Sequence, residues 1–218
     1  MSGTSPQADG AAAPGTIPGA APASGLLAAA RTQLAASGSA AAADYLAVLE
    51  AEPGALFREG GPHHLTASAV VIDRDGDHLA LVWHRKGSFW VQPGGHLEVD
   101  DADLEAAARR EVAEEIGLEE LERVGPGPAV LHRHALDAAF GACHEHWDVQ
   151  YLLRTALPAP ELPLRASEES PEVVWVPWPL LGEGPARSVA HLPPGTVEDM
   201  PDKLAELAEH LAAHPRRT

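Results

Sequence analysis

Apolar positions change their spacing several times along the chain, and the changes outline its elements. Residues 1–25, "MSGTSPQADGAAAPGTIPGAAPASG", are small residues, Pro and Gly with nothing to bury, and read as a disordered tail. Residues 26–62 read as a helical extension. An Ala- and Leu-rich run breaks at Ser37–Ser39, and "AAAADYLAVLEAE" follows with Tyr45, Leu46 and Leu49 as its apolar stripe. Pro53-Gly54 ends that helix. From residue 63 to residue 214 a main domain is expected. "LTASAVVID", the turn "RDGD" and "HLALVWHR" form a hairpin signature. "SFWVQP" is a short third strand running into Gly94-Gly95, and "DLEAAARREVAEEI" is a helix that stops at Gly117. "PAVLHRHAL", "EHWDVQYLLRT" and "PEVVWVPW" read as strands, the last with Trp175 and Trp178 as packing anchors. "PDKLAELAEHLAAH" closes the pattern with Leu204, Leu207 and Leu211 at helical spacing behind Pro201. This order describes an α+β fold, a mixed β-sheet sandwiched between helices. It is not a regular βαβ repeat.

Composition narrows what such a fold can do. The 218 residues carry a formal net charge of −17, which argues against a nucleic-acid backbone as the main partner. A phosphorylated substrate would have to be met by local Arg and Lys or by a bound metal. The lone Cys143 excludes an intramolecular disulfide and fits a reducing compartment. No run of 18 apolar residues occurs, so no membrane span is expected. No basic segment followed by an apolar one marks a signal peptide, which makes the cytoplasm the expected location.

Candidate chemistry concentrates in the helix before Gly117. Leu104, Ala108, Val112 and Ile116 form an i,i+4 stripe toward the core. Glu111 and Glu115 lie one above the other on its flank, with Glu114 three positions from Glu111. Like charges at this spacing oppose each other by a few tenths of a kcal/mol in water, and by more when desolvated. A solvated acidic face is one reading. The other is a cation among the carboxylates, and the preceding loop supports it: Gly94-Gly95 allows close backbone approach, and Glu98, Asp100 and Asp101 follow. Hard oxygen donors in this density suit Mg²⁺ or Mn²⁺. Arg110 can hold one of the carboxylates through a bidentate pair.

This stretch resembles the Nudix box, a Gly, five residues, a Glu, seven residues, then Arg-Glu-U-x-Glu-Glu-x-Gly-U with U aliphatic. "REVAEEIGL" matches the second half at Arg110, Glu111, Val112, Glu114, Glu115, Gly117 and Leu118. The first half departs from it. With one residue inserted in the loop, Gly95 takes the Gly position and Asp101 replaces the Glu, eight residues before Arg110 instead of seven. The element order and "HRKGSFWVQPGGH" are similar to a bacterial Nudix branch without a well-defined substrate. The resemblance implies a Nudix fold and metal-dependent attack of water on the diphosphate of a nucleoside diphosphate linked to another group. It implies metal ligation by Glu111, Glu114 and Glu115 with help from the Gly95 backbone and Asp101, and Arg110 as the residue that orients a glutamate. It also implies a general base from the box or from a later loop, where Glu169 and Glu172 in "SEESPEVVW" are the candidates beside an ordinary acidic turn. Many members are dimers, so a homodimer is one expected assembly.

Several residues keep two readings. Arg85 and Lys86 are either phosphate contacts or solvated strand-end charges, and Phe89 and Trp90 either stack on a base or fill the core. His96 and Glu98, in the box loop, are expected at the substrate. His132 with His134, and His144 with His146, recur at period two and can line one surface near Asp148. Their spacing matches no closed zinc site, and Cys143 is expected on the face opposite His144, so a cleft-lining role is preferred. Within the resemblance, an isomerase of the isopentenyl diphosphate type would need a catalytic Cys, and Cys143 is badly placed for it. A catalytically weak nucleotide-binding or sensor module is the alternative from another class; sensors of that kind add a basic DNA-binding domain that this sequence does not show.

Overall fold

Alternation along the strands sorts the side chains into two layers, and the helices follow them. The computed structural model describes residues 20–136, 141–178 and 191–216, with side chains from residue 24. Strand β1 (His63–Ile72) runs parallel to β7 (Glu145–Thr155), in register from His63–Glu145 to Ile72–Arg154. On one face Leu65, Ala67, Ala69 and Val71 join Trp147, Val149, Tyr151 and Leu153 in a core. The helices α1 (Ala20–Ala36), α2 (Ala42–Ala51) and α3 (Leu104–Ile116) contribute to this core through Leu26, Ala30, Leu34, Tyr45, Leu49, Val112 and Ile116. On the other face Val70, Ile72 and Leu152 pack beneath α4 (Met200–Ala213) through Met200, Leu204 and Leu207. A sheet between helices is the result.

The sheet joins eight strands among the described residues. β2 (His78–His84), β3 (Phe89–Val91), β4 (Gly94–His96), β5 (Leu121–Arg123), β6 (Val130–Ala135) and β8 (Val173–Pro177) complete it. The expected hairpin is a turn more than a ladder: β1 and β2 pair at Ile72–Leu79. β2 then gives its edges to β8 and β3, and β1 takes β4 through Thr66–His96, Ala67–Gly95 and Ser68–Gly94. Gly94-Gly95, expected as a loop, is therefore a strand. The short β5 was not expected either. The first helix starts at Ala20, inside the tail expected over residues 1–25; residues 1–19 of that tail lie outside the described residues.

The extension is tied into the domain by specific bonds as well as by packing. The Tyr45 hydroxyl donates to the Asp148 carbonyl at 3.0 Å, and its ring meets Trp147 edge-on at 4.9 Å. Gln33 of α1 accepts from the Leu104 N–H at 2.9 Å, satisfying a donor at the start of α3 that has no partner within the helix. Trp178 is buried in the second core, and the Trp175 indole donates to the Leu162 carbonyl. Among the described residues, no helix is long and apolar enough to cross a membrane.

Candidate active site

Helix α3 is fixed at both ends, so the rotational setting of its carboxylates is determined. Asp103 caps it, accepting from the Ala106 N–H at 2.8 Å, and Gly117 ends it with a left-handed φ of 73°. With Leu104, Ala108, Val112 and Ile116 buried, Glu111 and Glu115 sit at the rim against β4. Glu115 is 8% exposed. Its Oε2 accepts from the Gly94 N–H at 2.8 Å, and its Oε1 accepts from the Ser170 hydroxyl at 2.5 Å. Gly95 faces Glu111 so closely that a Cβ there would stand 2.5 Å from Glu111 Oε1. Only a glycine lets strand and carboxylate approach in this way.

Arg110 organises the acidic groups around its guanidinium. Its Nε and one terminal nitrogen donate to the two oxygens of Asp101 at 3.1 and 3.2 Å. The same nitrogen donates to the His96 carbonyl, while the other reaches Glu111 at 2.9 Å and Glu114 at 3.3 Å. One cation cannot compensate the group. Burial, opposed by Arg110 and reinforced by the charges of Glu115 and Glu114, pushes Glu111 up to about 7. Burial also raises Glu115, against the Ser170 and Gly94 donors. Carboxylates held in this state gain from a further cation. The donors are all oxygens, which matches Mg²⁺ or Mn²⁺ better than softer ions.

The structure separates the expected site residues into an inner set and others turned away. Glu111, Glu115 and the Gly95 backbone converge, with Arg110 beside them. Glu114 points outward, its side chain 58% exposed and held at its tip by Arg110. Asp101, expected as a ligand, has both oxygens engaged by Arg110, and one of them also accepts from the Glu98 N–H at 2.7 Å. It anchors the guanidinium instead. Glu98 is an exposed side chain 3.9 Å from Arg110. His96, expected at the substrate, turns its ring to the sheet face opposite Glu111, because β4 alternates and Gly95 takes the α3 side. Arg85 and Lys86 are exposed in the turn after β2, and the Lys86 charge bears on His84 and His96.

Glu169 is exposed, and its charge acts on Glu115. Glu172 is exposed too, with its carbonyl accepting from the Trp83 N–H. Ser170, between them, carries the contact to Glu115 and is fully buried; nothing in the sequence singled it out beyond its neighbours. Trp90 packs partly into the second core and meets Trp83 edge-on, whereas Phe89 stacks on His84.

A model of the NUDIX domain matches residues 62–193, more than half of the chain. The chain belongs to the Nudix family. It is accordingly a Nudix-type pyrophosphohydrolase, an enzyme acting on nucleoside diphosphate derivatives in general. No curated protein matches the chain. Among solved structures, a Nudix-family hydrolase from Clostridium perfringens aligns with a TM-score of 0.50 at 20% identity, covering 68% of this chain and 97% of its own. That likeness concerns the Nudix fold. An Ap4A hydrolase from C. elegans, solved as a binary complex, gives a TM-score of 0.49 at 18% identity, covering 68% of this chain and 98% of its own. A Nudix hydrolase from M. smegmatis gives 0.46 at 20% identity, covering 71% and 89%.

Proposed function

We propose that the chain is a Mg²⁺-dependent hydrolase, with Mn²⁺ able to substitute, that cleaves the pyrophosphate linkage of a nucleoside diphosphate joined to another group. The observation that carries this reading is the convergence of Glu111, Glu115 and the Gly95 backbone at a Cβ-free cradle. Glu111 and Glu115 would hold the ion, with Glu114 and the Gly95 carbonyl as further oxygen donors. A divalent ion bound there neutralises charge on the diphosphate and lowers the pKa of water.

The chain's own residues do the rest. Arg110 keeps Glu111 in position and is itself oriented by Asp101, which takes the place of the first box glutamate. Glu169 is the proposed general base, since it is open to solvent yet close enough for its charge to act on Glu115. Water oxygen bonds to phosphorus, the bridging P–O bond breaks, and the water's proton passes to Glu169. Lys86 and Arg85 attract the phosphates of the incoming substrate.

Glu115→Gln tests the assignment. It removes a charge while preserving shape, and loss of a metal ligand should exceed the roughly 10- to 100-fold effects of outer-sphere changes. Turnover by this variant at the wild-type rate, with Mg²⁺ supplied, would exclude the proposed helix as the metal site.

A further inference from the structure

The face of the sheet opposite Glu111 carries a second constellation of ligand-type side chains. His64 of β1 stands beside His146 of β7 in the parallel register, and His96 of β4 closes the group. The three rings form a near-equilateral triangle, with centroids 5.0, 5.0 and 5.2 Å apart. Cys143 is buried, and one ligand atom from each of the four residues lies within 4.8 Å of all the others. Of the pairs read from the sequence, only His146 takes part. His144 is exposed, and His132 and His134 extend the row outward from His146. Cys143 reaches the His146 side because β7 begins at Glu145, so strand alternation does not apply to it.

The contacts within the group leave ring lone pairs available to a metal ion. His64 Nδ1 is 2.9 Å from the Gly61 carbonyl, which can only accept, so Nδ1 carries the proton and Nε2 a bare lone pair. That lone pair faces His96 Nε2 at 3.1 Å. A backbone carbonyl fixing the tautomer on the far nitrogen is the usual support of a metal-bound histidine. His146 Nε2 is buried with no hydrogen-bond partner at all. Leaving such an atom unsatisfied is destabilising, and a cation would satisfy it. The His64–His96 nitrogen separation is already close to the roughly 3.3 Å edge of a tetrahedron with Zn–N bonds of about 2.0–2.1 Å.

We infer that His64, His96, His146 and Cys143 form a second metal site, selective for a borderline transition-metal ion such as Zn²⁺ and distinct from the oxygen-donor site on α3. Three imidazoles and a thiolate are the wrong donors for Mg²⁺, and four protein ligands leave no open position, so the site is structural. It ties together the starts of β1 and β7 and the end of β4. Because the His96 carbonyl accepts from Arg110 while its ring joins this cluster, the ion would brace the strand that presents Gly95 to Glu111. The inference goes beyond the hydrolase reading and stands or falls without it.

The test uses the full chain dialysed in Mg²⁺ buffer, followed by metal analysis and by Co²⁺ substitution read in the near-ultraviolet. About one Zn²⁺ per chain should be retained, and Co²⁺ should give a thiolate charge-transfer band. Cys143→Ser should remove the band, and His146→Ala should weaken Zn²⁺ binding at least about a hundredfold. Glu115→Gln should leave both properties intact. Circular dichroism of each variant separates loss of the site from loss of the fold, and the wild-type readings stand independently of the variants. Absence of retained Zn²⁺ and of the band in the wild type would overturn the inference. So would their persistence in both cluster variants, or their loss in Glu115→Gln alone.

Discussion

Arg110 touches Asp101, Glu111, Glu114 and the His96 carbonyl with one planar fork, and no ammonium group reproduces that geometry. Arg110→Lys should therefore lower kcat by roughly 10- to 100-fold, as outer-sphere changes do, with the fold preserved; steady-state kinetics and circular dichroism check both parts. Glu111 permits a prediction with a definite sign. Its folded value of about 7 lies above the ordinary glutamate value of 4.5, so the folded chain holds the proton longer than the unfolded chain does. Its contribution to stability is complete below 4.5 and lost as pH rises through 7. Denaturant unfolding without divalent ions should show wild type losing stability relative to Glu111→Gln across that window. Mg²⁺ added above pH 7 should restore it, and a constant difference across the window would refute the assignment.

At the scale of elements, the two glycines of β4 do different work. A Cβ at Gly94 would lie 2.7 Å from Ser68 Cα and 2.9 Å from the Ala67 carbonyl oxygen, both backbone atoms that cannot yield. Gly94→Ala should pry β4 from β1 and cost about 1–3 kcal/mol of stability. At Gly95 the obstacle is the tip of Glu111, a flexible side chain. Gly95→Ala should leave the melting temperature nearly unchanged while weakening Mn²⁺ binding; thermal scans and titrations of both variants separate the effects. These glycines also show what was legible beforehand. The box helix, its stop at Gly117 and its carboxylates were readable, because helical period and end signals are local. The strand character of Gly94–His96 was not, since three residues with two glycines acquire it only by pairing with β1. Asp101 and His96 took other partners for similar reasons. A loop residue's direction depends on which guanidinium or strand face it meets. Ser170 lies 55 positions from Glu115, and no local pattern announces such a contact. The histidine cluster draws on three strands and a loop, and period two placed His144 and His146 together without revealing that His64 and His96 complete the group.

For the whole molecule, a net charge of −17 opposes the approach of any phosphorylated substrate. Arg85 and Lys86, in the turn before the box, are exposed positive charges. At saturating Mg²⁺, raising ionic strength from about 0.01 to 0.15 M should increase kcat/KM, because screening shortens the reach of that repulsion to about 8 Å. A fall in kcat/KM would mean that local cations dominate the encounter. The N-terminal helices bear on the same site, through Gln33 at the start of α3 and Tyr45 against β7, so the extension is part of the frame that holds the carboxylates. In the proposed function this frame presents Glu111 and Glu115 to a divalent ion for pyrophosphate hydrolysis. Its most direct test is product analysis of wild type and Glu115→Gln on a panel of ADP-ribose, NADH, nucleotide sugars, dinucleoside polyphosphates and nucleoside triphosphates, with Mg²⁺ and with Mn²⁺. Wild type should split at least one of them at a pyrophosphate linkage, and the variant should not. Equal turnover by the variant would refute the proposed function, and so would a wild type that binds these nucleotides without cleaving any.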